Sequence, residues 1–374
     1  MHRAYFGLGG CLITMLGAWL LADKTGRELV LDWRGCRYGK ENSFNALFDF
    51  PVFKHYSQVK EDIKSVFPEY FKDIMHIAGK KNVNGIRMDI SSPRDIKNFK
   101  DYEKYDCIII SRDDSGIINN PKVMDLIKLL KVNKSIQKYI DSNSICFKKF
   151  KKVIGVHFRH GNGEKFVVPP KLSLYTDEIN KYLVFNNLSK NDILLYLATD
   201  CKAVFDVFKT MYPNIKIFND VGDYNPVLGG GAIHMEYMDS KTIDEQIEAA
   251  RVALADMYLL AKTDFFIGGK SGYFVRFVSM LRSNLNTCII DFERYYTDYN
   301  FNENYYPIEN DLNLYQLFID RNIPVDGIFI KIENNQKYIY YYYDLIAIFD
   351  MQYIDGDNDK FEIMIRELIK RRFY

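Results

Sequence analysis

Between residues 153 and 291 the chain repeats one pattern: a short apolar run of strand length, then a stretch long enough for a helix. The runs are 153–159, 192–199, 215–218, 265–268 and 288–291, and the helical spans fall near 175–186, 202–211, 242–262 and 272–283. Strands that are apolar throughout are buried on both faces, and helices between them serve as crossovers. That combination predicts a parallel, doubly wound sheet. The span 242–262 opens with Thr242 three residues before Glu245, the spacing of a reciprocal cap. Its apolar stripe runs through Ile243, Ile247, Ala250, Leu254 and Ala261.

The amino-terminal stretch admits several readings. Ala4 to Ala22 carries no charge, a length that suits a membrane span. Behind Met1-His2-Arg3 it also has the look of an export signal. Gly7, Gly9 and Gly10 crowd its first half, however, and Glu28 to Asp32 follow in a strand pattern. Strand, glycine loop, buried helix and strand make the opening βαβ unit of an α/β domain, and this reading is preferred. Residues 106–111 form another strand pattern, and Pro121 opens a helix with Val123, Met124 and Ile127 on one face. We therefore expect an N-terminal α/β domain over 1–148, a Rossmann-like domain over 149–325 and an extension over 326–374. The junction falls in the lysine-rich passage Lys148 to Lys152. In the extension, 327–349 reads as a hairpin turning near Asn334-Asn335, and Phe361, Met364, Ile365, Leu368 and Ile369 mark a last helix.

A formal charge of +1, from 50 Lys+Arg against 49 Asp+Glu, argues against a nucleic-acid-binding protein. The six cysteines are scattered, without C-x-x-C or a histidine at zinc spacing, which suits reduced thiols in the cytoplasm and no metal site. A peripheral association with the inner face of a membrane stays open.

The chemistry concentrates in Val153-Ile-Gly-Val-His-Phe-Arg-His-Gly-Asn-Gly-Glu164. A strand delivering Arg and His to its carboxyl end, then glycines, suits an anionic phosphate ligand. Arg159 is the best diphosphate ligand, because a planar guanidinium bridges two phosphate oxygens. His157 and His160 are candidate ligands or ordinary core residues, and Asn162 lies between the loop glycines. Glu164 is the nearest carboxylate and a candidate general base, or a solvated loop acid. Thr199 and Asp200 end a second strand, where ligands also collect. Gly7, Leu8, Gly9 and Gly10 read as a phosphate-approaching loop or a plain tight turn. Ser271 and Gly272, with Lys270 beside them, form a second such turn, and Arg276 lies one helical turn on. Asp256 either bonds the edge of a guanine base or faces water. Gly229-Gly230-Gly231 is a candidate lid or an ordinary connection.

Several of these segments, in this order, resemble the family of bacterial nodulation fucosyltransferases and animal core α1,6-fucosyltransferases, and the bacterial branch most. The H-x-R-H-G-N-G-E box is matched by His157 and Arg159 to Glu164. The G-x-G loop followed by T-G-R-x-L-x-x-D-W-R-G is matched over Gly7 to Gly35, the L-A-T-D strand end by Leu197 to Asp200, and D-F-x-I-G…S-G by Asp264 to Gly272. The resemblance covers roughly 1–35 and 150–285. It implies two facing Rossmann-like domains of the GT-B glycosyltransferase type, GDP-fucose as donor and a glycan acceptor, N-acetylglucosamine being linked through O6. It also implies metal-independent, inverting transfer, with Arg159 on the β-phosphate, His157 as a donor ligand, and Asp256 and Ser271 as guanine and phosphate contacts. His160 departs from the second arginine of the animal enzymes, whose catalytic glutamate also lies farther past the box than Glu164. A transferase using another nucleotide sugar and a non-catalytic glycan-binding protein are the alternatives.

Overall fold

The computed structural model describes residues 1–4, 7–59, 63–77, 82–83, 86–87, 102–111, 120–159, 172–200, 202–217, 241–270, 272–283, 285–290, 305–307, 328–333, 336–341 and 344–350. In chain order the elements used below are β1 (His2–Arg3), α1 (Leu8–Lys24), β2 (Val30–Asp32), β3 (Lys54–His55), α2 (Pro121–Leu129) and α3 (Lys134–Ser144). There follow β4 (Lys152–Phe158), α4 (Leu172–Phe185), β5 (Ile193–Thr199), α5 (Lys202–Met211), β6 (Ile215–Lys216), α6 (Ile243–Ala261), β7 (Phe265–Gly269), α7 (Tyr273–Leu281) and β8 (Thr287–Ile290). The chain divides into two compact units, one of residues 1–149, 235–263 and 271–287, the other of 150–234, 264–270 and 288–374.

In the first unit β1, β2 and β3 lie side by side in that order, each adjacent pair parallel. Residues 106–111 contribute the shorter strand Cys107–Ile108, with Ile110 bridging to His2. The uncharged run is a helix apolar on all sides: from Leu8 to Ala22 every residue except Trp19 is buried. It packs on α2, α6 and α7. No helix among the described residues is long and apolar enough to cross a membrane. The expected glycine loop is not where the sequence put it, since α1 begins at Leu8 and Gly9 and Gly10 are helical. Proximity to α7 explains Gly9, where an added Cβ would lie 2.8 Å from the Phe274 nitrogen. Helix α6 carries the expected reciprocal cap, with Thr242 N–H donating to Glu245 Oε2 at 2.8 Å. Its buried face begins at Gln246 and runs through Ala250 and Leu254, whereas Ile243 in the first turn is 40% exposed.

The second unit holds a sheet ordered β6-β5-β4-β7-β8, with β4 parallel to β5 and β7, and β5 parallel to β6. By appearance in the chain this is the order 3-2-1-4-5, that of dinucleotide-binding folds. The strands match the expected runs to within two residues. Phe158 packs on Tyr175 of α4 and Phe208 of α5, with ring centres 4.9 and 6.5 Å away, and Phe265 stacks on Tyr182 at 4.5 Å. Alternate strand residues point to opposite faces, so α4 and α5 cover the Phe158 face and leave His157 on the other. Asp264 fixes the register of β4 and β7. One carboxylate oxygen accepts from Val153 N–H at 2.8 Å, the other pairs with Lys152 Nζ at 2.9 Å, and Asp264 N–H donates to Val153 O at 2.8 Å. A separate antiparallel sheet joins 305–307, 328–333, 336–341 and 344–350, with Glu333 paired to Gln336 on either side of the expected turn. The expected last helix lies outside the described residues.

Candidate active site

Arg159 is the first residue past the carboxyl end of β4, and it is half-buried. His157, two residues earlier, shares its face of the sheet. In register with His157 stand Ala198 on β5 and Gly268 on β7. The imidazole is thus flanked by two small residues. Thr199 closes β5 opposite Phe158, so Asp200 follows at the level of Arg159. The crossovers after β4 lead one way along the sheet and those reaching β7 the other. The carboxyl ends of β4 and β7 therefore border the topological switch point, the place where open α/β sheets bind ligands.

The charges of this cluster are distinct. Burial, followed by the positive charge of Arg159, pushes the His157 imidazole down from 6.5 to about 3. At neutral pH it is uncharged, able to give and accept one hydrogen bond each. Anion binding at this strand end thus falls to the Arg159 guanidinium.

The remaining candidates are dispersed. Gly7 is the N-cap of α1, and Leu8, Gly9 and Gly10 form its first turn, buried rather than presented as a loop. Asp256 on α6 is half-buried and close enough to α3 that its charge, behind burial, helps raise the Tyr139 phenol. Gly272 caps α7 without a side-chain bond, and Arg276 is exposed with its guanidinium 5.6 Å from the Tyr273 ring centre. His160, Asn162, Glu164, Ser271 and the Gly229–Gly231 segment lie outside the described residues. Within the second unit, then, the structure gathers His157, Arg159, Thr199 and Asp200. Among the described residues no three His, Cys, Asp or Glu side chains form a metal-holding group.

One charged cluster escaped the sequence reading. At the carboxyl ends of β1 and β2, Asp32 holds two arginines: Arg3 Nε at 2.7 Å on one oxygen and Arg34 Nε at 2.7 Å on the other. Arg3 also donates to Met75 O at 2.6 Å, and Arg34 lies 4.1 Å over the Tyr56 ring. Between them Trp33 is fully buried and donates to His2 Nδ1 at 2.9 Å, while His2 Nε2 lies 2.7 Å from Thr14 Oγ1. The D-W-R triplet is thus a buried brace, and an arginine beside the first strand was the signal available for it.

The comparisons with known proteins follow this geometry. The family model of Nodulation protein Z (NodZ) matches residues 1–295. The chain belongs to that family. It is 26% identical over 300 residues to Nodulation protein Z of Bradyrhizobium diazoefficiens, covering 71% of this chain and 74% of that one. The counterpart from Azorhizobium caulinodans is 24% identical over 312 residues, covering 71% and 84%. Among solved structures, fucosyltransferase NodZ from Bradyrhizobium superposes with a TM-score of 0.52 at 21% identity, covering 78% of this chain and 94% of that one. NodZ α-1,6-fucosyltransferase co-crystallized with GDP gives a TM-score of 0.51 at 21% identity, covering 75% and 90%. At this identity the structures establish the fold, which is that of the NodZ fucosyltransferases.

Proposed function

We propose that this protein is a fucosyltransferase that moves fucose from GDP-fucose to a glycan hydroxyl, forming an α1,6 linkage to N-acetylglucosamine with inversion at the anomeric carbon. The observation that carries the reading is Arg159 beside the switch point of a dinucleotide-type sheet, in a chain of the NodZ family. Related proteins described as α-1,6-fucosyltransferases, one solved after soaking with GDP-fucose, support the donor and the linkage.

In this reaction the acceptor oxygen bonds to fucose C1 as the bond from C1 to the β-phosphate oxygen breaks on the opposite face. The electron pair leaves with GDP, whose added negative charge is stabilised by the Arg159 guanidinium. The neutral imidazole of His157 supplies a hydrogen bond to the bound donor. The acceptor's proton passes to a base, for which we propose Glu164. With guanidinium charge on the diphosphate, the step as proposed needs no divalent ion. Asp200 and Thr199 at the neighbouring strand end complete the donor contacts we propose within the second unit. We place the enzyme in the cytoplasm, in keeping with Cys11, Cys36, Cys107, Cys146 and Cys288 standing as thiols rather than in disulfides.

Arg159→Ala tests the reading. Transfer from GDP-fucose to a chitooligosaccharide should fall by about a hundredfold or more, the scale of losing one preorganised oxyanion donor, with the circular-dichroism spectrum unchanged. Activity within a few-fold of wild type rules the assignment out. Stabilisation of the wild type by UDP or ADP but not GDP points to another nucleotide sugar.

A further inference from the structure

The register of the second unit's sheet places more than Arg159 at the switch point. His157 pairs with Gly268, so two residues on, Arg159 stands level with Lys270. Phe158 pairs with Thr199, so Arg159 also stands level with Asp200. Across three adjacent strand ends the row reads Asp200, Arg159, Lys270: acid, base, base. Neighbouring strands are about 4.8 Å apart, so these three residues leave adjacent strand ends close to one another. Lys270 is exposed, and its backbone N–H donates to Ile290 O at 3.0 Å, which fixes where its side chain starts. The switch point lies between β4 and β7, so these two cations border it from either side, with the acid on the far side of Arg159.

A nucleoside diphosphate carries more negative charge than one guanidinium balances. Resting on the donor assigned above, we propose that Lys270 is a second cation for the donor's diphosphate, gripping the β-phosphate from β7 while Arg159 grips it from β4. The two groups are not equivalent. The guanidinium offers a planar fork that orients two oxygens, whereas the ammonium is a compact point charge on a flexible stem. Arg159 therefore sets the geometry of the leaving group, and Lys270 supplies affinity for its charge. The acid at 200 places the positive end of the row at the β4–β7 gap. Lys270 is thus a ligand that distinguishes a nucleoside diphosphate from a monophosphate.

Calorimetric titration of GDP and GMP into wild type, Lys270→Gln and Lys270→Arg tests this. Lys270→Gln should weaken GDP about tenfold, the scale of one lost charge-assisted contact, and GMP no more than about twofold. Its kcat/KM for GDP-fucose should fall in parallel with GDP affinity, and Lys270→Arg should recover most of the loss. The side chain is exposed, so the glutamine variant should fold. A matching circular-dichroism spectrum and melting curve verify that. Equal GDP affinity in wild type and Lys270→Gln, or equal weakening of GDP and GMP, overturns the proposal while leaving the donor assignment standing. Failure of wild type to bind GDP instead overturns the donor assignment.

Discussion

Replacing Gly9 with alanine separates two roles that a glycine-rich helix start can play. In isolation the change favours folding, because alanine exceeds glycine in a helix interior by about 0.8–1 kcal/mol. The structure opposes it. The new methyl carbon would lie 2.8 Å from Phe274 N, 2.9 Å from the Tyr273 carbonyl carbon and 3.0 Å from Phe274 Cα. Ordinary carbon contacts are near 3.5–4.0 Å, so α1 and α7 must separate by roughly 0.7 Å. All three obstructing atoms are backbone, and no rotamer change relieves them. Overpacking of this kind costs about 1–3 kcal/mol. With the propensity gain subtracted, Gly9→Ala should lose up to about 2 kcal/mol. Urea unfolding at unchanged m-value is the assay, with GDP affinity measured on the same samples. A variant more stable than wild type, with weakened GDP binding, would show that Gly9 exists to admit the ligand, and the packing account would fail.

Asp32→Asn removes the carboxylate that both Arg3 and Arg34 share and leaves Arg3, 1% exposed, without its counter-charge. About 3–5 kcal/mol of stability should be lost, the usual result of breaking a buried pair from one side, and a denaturation midpoint unchanged from wild type would contradict the brace. Acid should also destabilise the protein: burial pushes His2 from 6.5 to about 3. Both states are neutral there above pH 6.5, but below it only the unfolded chain takes up the proton, so stability falls by about 1.4 kcal/mol per pH unit until the folded value near 3 is reached. Between pH 7 and 5 this residue alone should remove about 2 kcal/mol, and unfolding curves for His2→Gln should show a correspondingly flatter dependence.

The sheet of the second unit was legible because each strand is an unbroken apolar run between a helix-length stretch and glycine or charge. The placement of His157 and Arg159 at a strand end was legible for the same reason, since that end was marked by glycine. The start of α1 was not. Gly9 and Gly10 carry no local instruction for a helix, and the reason for glycine at position 9 is the backbone of Phe274, far along the chain. Ile243 failed similarly: it sits on the apolar stripe by spacing, yet in the first turn it lies beyond the region that α6 buries. The role of D-W-R was hidden because a charged pair reads as surface until the partner is known, and Arg3 lies on a different strand. The level row at 200, 159 and 270 needed the strand register, which no single segment contains.

Asp264 sits at one end of β7 and Lys270 at the other, and the first decides what the second can do. A strand shifted by one position turns its entire set of side chains to the opposite side. By tying itself to Val153 and Lys152, the aspartate sets the phase of β7 against β4, and so aims an ammonium group six residues away. A residue at the opposite end of the strand thereby works as the sighting notch for the cation site proposed at Lys270.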